Sequence, residues 1–247
     1  MLEHDFGWVR TAGLILLALL AFGAAAIVVV LATIAWWEKR HVRCFRPINE
    51  KEQAEIPRYI EAMNQTAGEL DFVWDGYFVR STEGVLRTVW SVFRSPDKSI
   101  LIIIGQATIG GLRQKLSMIF SKLHDGKYLI TTDDAGEPDI SGRTERQLRL
   151  NADLWELVDC HRAQLAMAGG ASSTFGADPV MKELERLSRD QAEALESLGY
   201  AGFLDADRTI WRYSLKGALL LATVGFGKQL LNMLSQGHRS DRVRPGS

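Results

Sequence analysis

The sequence predicts an α+β protein: an N-terminal transmembrane helix, then a cytoplasmic domain whose antiparallel sheet of four or five strands is covered by helices. Three observations predict it. Residues 11–37 run without one charged side chain. Between residues 72 and 132, short stretches rich in Val, Ile, Phe, Tyr and Trp alternate with turn residues. Residues 144–198 carry one-sided apolar stripes at helical spacing.

Thr11 to Trp37 would extend roughly 40 Å as a helix, against a hydrocarbon core of about 30 Å. In lipid the backbone must satisfy its own polar groups, so the segment is helical there. The run exceeds the apolar centre of a signal peptide, about 7–15 residues, and only Arg10 precedes it beside Glu3 and Asp5. It therefore reads as an uncleaved anchor. Leu2 argues against N-myristoylation, and no C-terminal CaaX box is present. Lys39, Arg40, Arg43 and Arg46 follow the helix. Basic flanks stay cytoplasmic, so the expectation is a single-pass protein of the plasma (inner) membrane, N-terminus outside and bulk inside. Trp8 at one end and Trp36 and Trp37 at the other suit an aromatic belt. Two cysteines in the chain agree with a reducing compartment.

Charge divides the chain. Residues 1–37 carry −1, residues 38–46 carry +3 and residues 208–247 carry +6, which leaves −9 for 47–207 out of a total of −1. The expected organisation is a short tail (1–10), the transmembrane helix (11–37), a basic juxtamembrane linker (38–54), an acidic α+β domain (55–207) and a basic C-terminal segment (208–247). A mean hydropathy of −0.04 requires that everything after the anchor be ordinarily polar.

Within the domain, Pro57 opens a helix that runs to Ala67, with Ile56, Tyr59, Ile60 and Met63 on one face and Gly68 as its stop. Strands are expected over 72–80 and 86–94. A Ser95-Pro96-Asp97-Lys98 turn leads to the most apolar strand, 99–109, and Gly110-Gly111 to a strand over 112–123. His124-Asp125-Gly126 makes the next hairpin, into 127–132. Thr144 with Gln147 three residues on is a capping-box pattern that predicts a helix to about Ala168. Asp178-Pro179 opens another, ending at Gly199. In the C-terminal segment a helix is expected over 214–234. Its apolar run, 217–227 between Lys216 and Lys228, is short for a span, which favours an interfacial helix over a core helix or a second crossing.

Candidate chemistry is sparse. Gly105 and Gly110 have the spacing of a phosphate loop, but Gly111 and Leu112 stand where its Lys and Ser/Thr belong. The acids of 133–139 lack EF-hand spacing. Adjacent on a helix, Cys160 and His161 diverge by about 100° and read as structural. Cys44 reads as chance rather than a lipidated thiol, and Asn64-Gln65-Thr66 as a chance sequon. There is no metal-ligand pair, no nucleophile elbow and no cofactor motif. Helix 179–198 followed by 200–204, 209–213 and 214–217 resembles the helix–hairpin–helix order of a winged-helix module. That helix, however, carries more acids than bases, which argues against nucleic-acid binding.

The expected function is a membrane-anchored, non-enzymatic interaction or scaffold module with an acidic cytoplasmic domain. The alternative is a tethered enzyme or small-ligand binder whose site is assembled from distant residues, with His124, Asp133 and Asp134 as its ligand candidates. Trp8, Trp36, Trp37, Lys39, Arg40, Arg43, Arg46, Arg212, Lys216 and Lys228 are the expected membrane contacts. The partners are the lipid bilayer and a protein. A small-residue stripe, Ala18, Ala21, Ala25, Ala32 and Ala35, offers a face for homo-oligomers, although small residues facing lipid are the plainer account.

Overall fold

A computed structural model of the chain describes residues 6–42, 45–54, 56–82, 86–109, 112–134, 139–172, 175 and 180–225. Arg43, Cys44, Gly110, Gly111, Lys228 and the stretch of the expected C-terminal helix beyond 225 lie outside the described residues.

Helix α1 (Phe6–Trp37) is 32 residues long. Over Ala12–Trp37 it is long and apolar enough to cross a membrane. Leu14, Leu17, Phe22 and Ile27 stand out from it, each more than half exposed. The residues after it, expected as a linker, are structured. Strand β1 (Arg40–His41) and strand β2 (Phe45–Pro47) are followed by a single helical turn, α2 (Glu50–Gln53). Asn49 and Glu52 close a reciprocal capping box on α2. Helix α3 (Arg58–Glu69) begins behind Pro57, as its sequence predicts.

Five long strands then run as a meander: β3 (Val73–Thr82), β4 (Leu86–Arg94), β5 (Leu101–Ile109), β6 (Leu112–Lys122) and β7 (Tyr128–Thr132). Each pairs antiparallel with the next, in register Trp90↔Gly105, Ile103↔Met118 and Phe120↔Ile130. Two of the turns are described and are the expected ones: Lys98 N–H donates to Ser95 C=O (2.8 Å) and Gly126 N–H to Leu123 C=O (3.0 Å). Gly105 is no phosphate-loop residue. It lies mid-strand, where a Cβ would come within 3.2 Å of both Trp90 and Leu116 side-chain atoms.

The sheet is larger than four or five strands and is mixed. Its order is β2-β3-β4-β5-β6-β7-β8, and the last strand, β8 (Thr144–Leu148), runs parallel to β7. Those residues correct the helix expected from Thr144. Asp139 accepts hydrogen bonds from Thr144 N–H (3.0 Å) and Thr144 Oγ1 (2.7 Å), so the threonine caps nothing. The helix starts later, as α4 (Leu154–Met167), with Asp153 accepting from Glu156 N–H at 2.9 Å.

Helices cover both faces of the sheet. On one, Ile60 and Ala67 of α3 and Leu154, Leu157, Val158 and Leu165 of α4 pack on Val89, Phe93, Ile102, Ile104 and Ile119. On the other, Val180 and Leu184 of helix α5 (Val180–Ser197) join Phe175 over Trp90, Val92, Leu101, Ile103 and Phe120. Within the sheet Arg94 forms a two-pronged ion pair with Asp75, both largely buried.

A second, small sheet of order β1-β10-β9 gathers the two ends of the described chain, with β9 (Ala201–Phe203) and β10 (Ile210–Tyr213) as a hairpin. Helix α6 (Leu215–Leu220) leaves β10 and continues as a π-helical segment, Leu221–Gly225. The order α5–β9–β10–α6 is the helix–hairpin–helix order expected from sequence.

Candidate functional site

Residues from 170 positions apart build the junction between α1 and the domain. β1 and β10 pair antiparallel, Arg40 opposite Trp211 and His41 opposite Ile210, and Val42 N–H donates to Thr209 C=O at 2.8 Å. Asp205 holds the hairpin turn: its carboxylate accepts from the Thr209 hydroxyl, from Ile210 N–H (2.7 Å) and from Thr209 N–H (3.0 Å), and these bonds, the hydroxyl's foremost, keep it below the usual carboxylate range. The pairing delivers the end of α1 and the start of α6 side by side, pointing in opposite directions. Ala32 and Ala35 of α1 are buried with Ala218, Leu221 and Ala222. Val42, Ala192, Leu195, Ala201, Trp211 and Tyr213 complete that core, so α5 packs its first half on the large sheet and its second half here.

Around this core sits a collar of bases and aromatic rings. Arg40 lies over Trp211 (5.4 Å) and Tyr213 (5.0 Å) and bonds Glu38 at 2.8 Å. Arg212 lies over Trp36 at 5.9 Å, and Lys216 over Tyr200 at 4.9 Å. Trp36 and Trp37 meet edge to face with centroids 5.9 Å apart, and Trp37 is 74% exposed. Lys39, Arg212 and Lys216 are exposed. Trp36, Trp37, Arg40 and Arg212 thus gather where α1 ends, with Lys39 next to them in sequence and Lys216 in the first turn of α6. Trp8 lies at the far end, in the first turn of the helix. Arg46 is set apart: on edge strand β2 it bonds Glu52 through two nitrogens, at 2.7 and 2.5 Å. Trp211 and Tyr213, which hold Arg40, escape a sequence reading because nothing local ties them to a residue so distant.

The three ligand candidates do not converge. His124 is exposed in the β6–β7 turn, whereas Asp133 and Asp134 follow the other end of β7, five residues or roughly 17 Å away. Asp133 accepts from Ser117 N–H at 2.6 Å, and burial pushes its carboxyl above the usual range. Nearby the Tyr59 and Ser117 hydroxyls are 3.2 Å apart, and Lys115 lies 4.7 Å over the Tyr59 ring. Asp134 accepts from Gln114 Nε2 at 2.7 Å.

His161 of α4 is fully buried. Its Nε2 is 2.9 Å from Ser121 Oγ and its Nδ1 2.9 Å from Thr131 Oγ1. Since Ser121 donates its own proton to Ser99 C=O at 2.9 Å, Nε2–H is the donor to Ser121, and Nδ1 accepts from Thr131. Burial lowers its pKa to about 4, so the ring is neutral and acts as a core bridge. On the outer side of α4 a cavity of about 540 Å³ opens between Arg149–Ala152 and Glu156, Cys160 and Gln164. Arg149 Nε donates to Cys160 Sγ at 3.2 Å, and the thiol donates to Gln147 Oε1 at 3.2 Å. Among the described residues no three His, Cys, Asp or Glu side chains group as a metal site.

No family model, curated protein or solved structure matches this chain.

Proposed function

We propose that this protein is a membrane-anchored interaction module, with α1 crossing the plasma (inner) membrane once, N-terminus outside, and the acidic domain serving a protein partner in the cytoplasm. One observation carries the reading. The apolar side chains of α1 stand exposed for most of its length, yet its last turns share a core with the domain, so a force or contact on the domain is felt directly by the anchor. Lys39, Arg40, Arg43 and Arg46 against Arg10 alone support the orientation. The collar of Trp36, Trp37, Lys39, Arg40, Arg212 and Lys216 combines the residue types that sit at headgroup level. For contact between copies the stripe has Ala18, Ala21 and Ala25 available, since Ala32 and Ala35 are taken by α6.

Alkaline washing of native membranes followed by cross-linking and identification of neighbours tests this reading. The protein should stay in the pellet and carry one steady protein neighbour. Release into the wash, or a protein that cross-links to no neighbour, would overturn it. The cavity beside Cys160 favours a second reading, a tethered small-ligand binder, with Arg149 as its cation and Glu156 as its anion. Native mass spectrometry of the purified chain should then find a retained metabolite that an Arg149→Ala variant loses.

A further inference from the structure

We propose that α6 and the π-helical segment after it enter the bilayer beside α1, making the anchor a two-helix hairpin rather than one helix with a surface-lying companion. This rests on the reading of α1 as a membrane span. Direction comes first. The β1–β10 pairing sets Arg40 against Trp211, and Arg212 reaches the Trp36 ring. From there α6 can only run back along α1, and it does so against Ala32 and Ala35. Boundary comes second. Lys39 and Arg40 follow the end of α1, and Arg212 and Lys216 flank the start of α6; neither α1 back to Arg10 nor the segment 217–225 carries a charge. Because α6 packs back along α1, the charge-free lengths of the two helices start from the same end of the domain.

The chemistry of the outer surface comes third. The residues of α6 and the π-helical segment that point away from α1, past Lys216, are Leu219, Thr223 and Val224. Leu219 and Val224 are 42% and 44% exposed among the described residues. Thr223 donates its hydroxyl to Leu219 C=O at 2.7 Å, just as exposed Thr33 of α1 donates to Val29 C=O at 2.7 Å. Both hydroxyls are satisfied within their own helix, as a hydrocarbon surrounding demands. The start of α6 is likewise closed, with Ser214 Oγ accepting from Gly217 N–H at 3.1 Å. Gly217 lets the helix approach the domain: a Cβ there would fall 1.9 Å from Tyr200 C=O. Leu215–Gly225 rises about 16 Å, which takes it near the middle of a bilayer.

The full-length protein, reconstituted in phosphatidylcholine–phosphatidylglycerol vesicles on a Cys44→Ser, Cys160→Ser background, tests this with single substitutions L219C, V224C, F22C and M167C. Met167 is 79% exposed at the end of α4 and reports water; Phe22 is 76% exposed mid-way along α1 and reports lipid. A membrane-impermeant maleimide, applied to both sides, should label M167C and lose all labelling at F22C, L219C and V224C until detergent is added. Bimane at the two α6 positions should be quenched by lipid-borne doxyl groups. Labelling of L219C and V224C at the rate of M167C, with F22C still protected, would overturn the hairpin and leave the anchor intact. Labelling of F22C as well would remove the anchor, and the hairpin with it.

Discussion

The large sheet and the small one bury their apolar faces with chain segments of very different separation. In the large sheet each strand from β3 to β7 pairs with its neighbour in sequence, and α3 and α4, which precede and follow the meander in the chain, close over one face of it. In the small sheet β1 pairs with a strand 170 residues later, and every strand has four residues or fewer. The large unit holds itself together with Ile, Leu, Val and Phe at full burial. The small unit relies on close approach, through Ala32, Ala35, Gly217, Ala218 and Ala222, and on rings stacked with guanidinium groups. A long meander is thus expected to tolerate change at its edges, and the junction to suffer where a small residue such as Gly217 grows.

That contrast can be broken in stages. The largest loss is expected in the large core: Leu157→Ala empties a fully buried site and should cost about 4 kcal/mol in urea unfolding followed by tryptophan fluorescence. Acid acts on the same core. His161 has a folded pKa of about 4 against 6.5 when free, so it is neutral in the native state, while the unfolded chain takes up a proton as pH falls. Stability from this group is complete above pH 6.5, declines between 6.5 and 4, and levels off below, a loss of about 3 kcal/mol. The slope should vanish in His161→Gln; an unchanged slope there would assign the acid sensitivity elsewhere.

Gly217→Ala should cost about 2–3 kcal/mol, because the Tyr200 backbone would have to move. Its signature is local: proteolysis opens the junction near 205–208 while the large sheet keeps its unfolding midpoint. Loss of both units together would show that they fold as one. Arg40→Ala removes a cation from between Trp211 and Tyr213 and should cost about 1 kcal/mol, seen as a smaller shift in the same proteolysis assay. The smallest effect is expected from Ala21→Leu, on the exposed half of α1. It should leave the fold unchanged and alter only cross-linking between copies, whereas Ala35→Leu should disturb the junction.

Much of the large unit was legible because its signals are local. Ser95 to Lys98 turns on its own proline and carboxylate, and His124-Asp125-Gly126 on its own glycine. The edges were not legible. Strand β2 is three residues ending in Pro47, and β8 is the polar run TERQL, whose Thr144 and Gln147 imitate a capping box. Only contact with β7 and the Asp139 carboxylate makes that run a strand. Of the candidate sites, the collar bases were visible as flanking charges, but the rings that hold them were not. Sequence proximity puts His124 near Asp133, and the hairpin carries it to the opposite end of β7.

By itself the sequence determined the elements whose stability is local: a charge-free helix of membrane length, a meander in chain order and the apolar stripes of its covering helices, since periodicity and turn residues act within a few positions. The tertiary structure alone decided what meets across the chain. It joined Arg40 to Trp211, set α6 against Ala32 and Ala35, and fixed His161 as neutral between Ser121 and Thr131. Burial and hydrogen bonding between distant segments depend on where the folded chain brings them, and no spacing along the sequence encodes that distance.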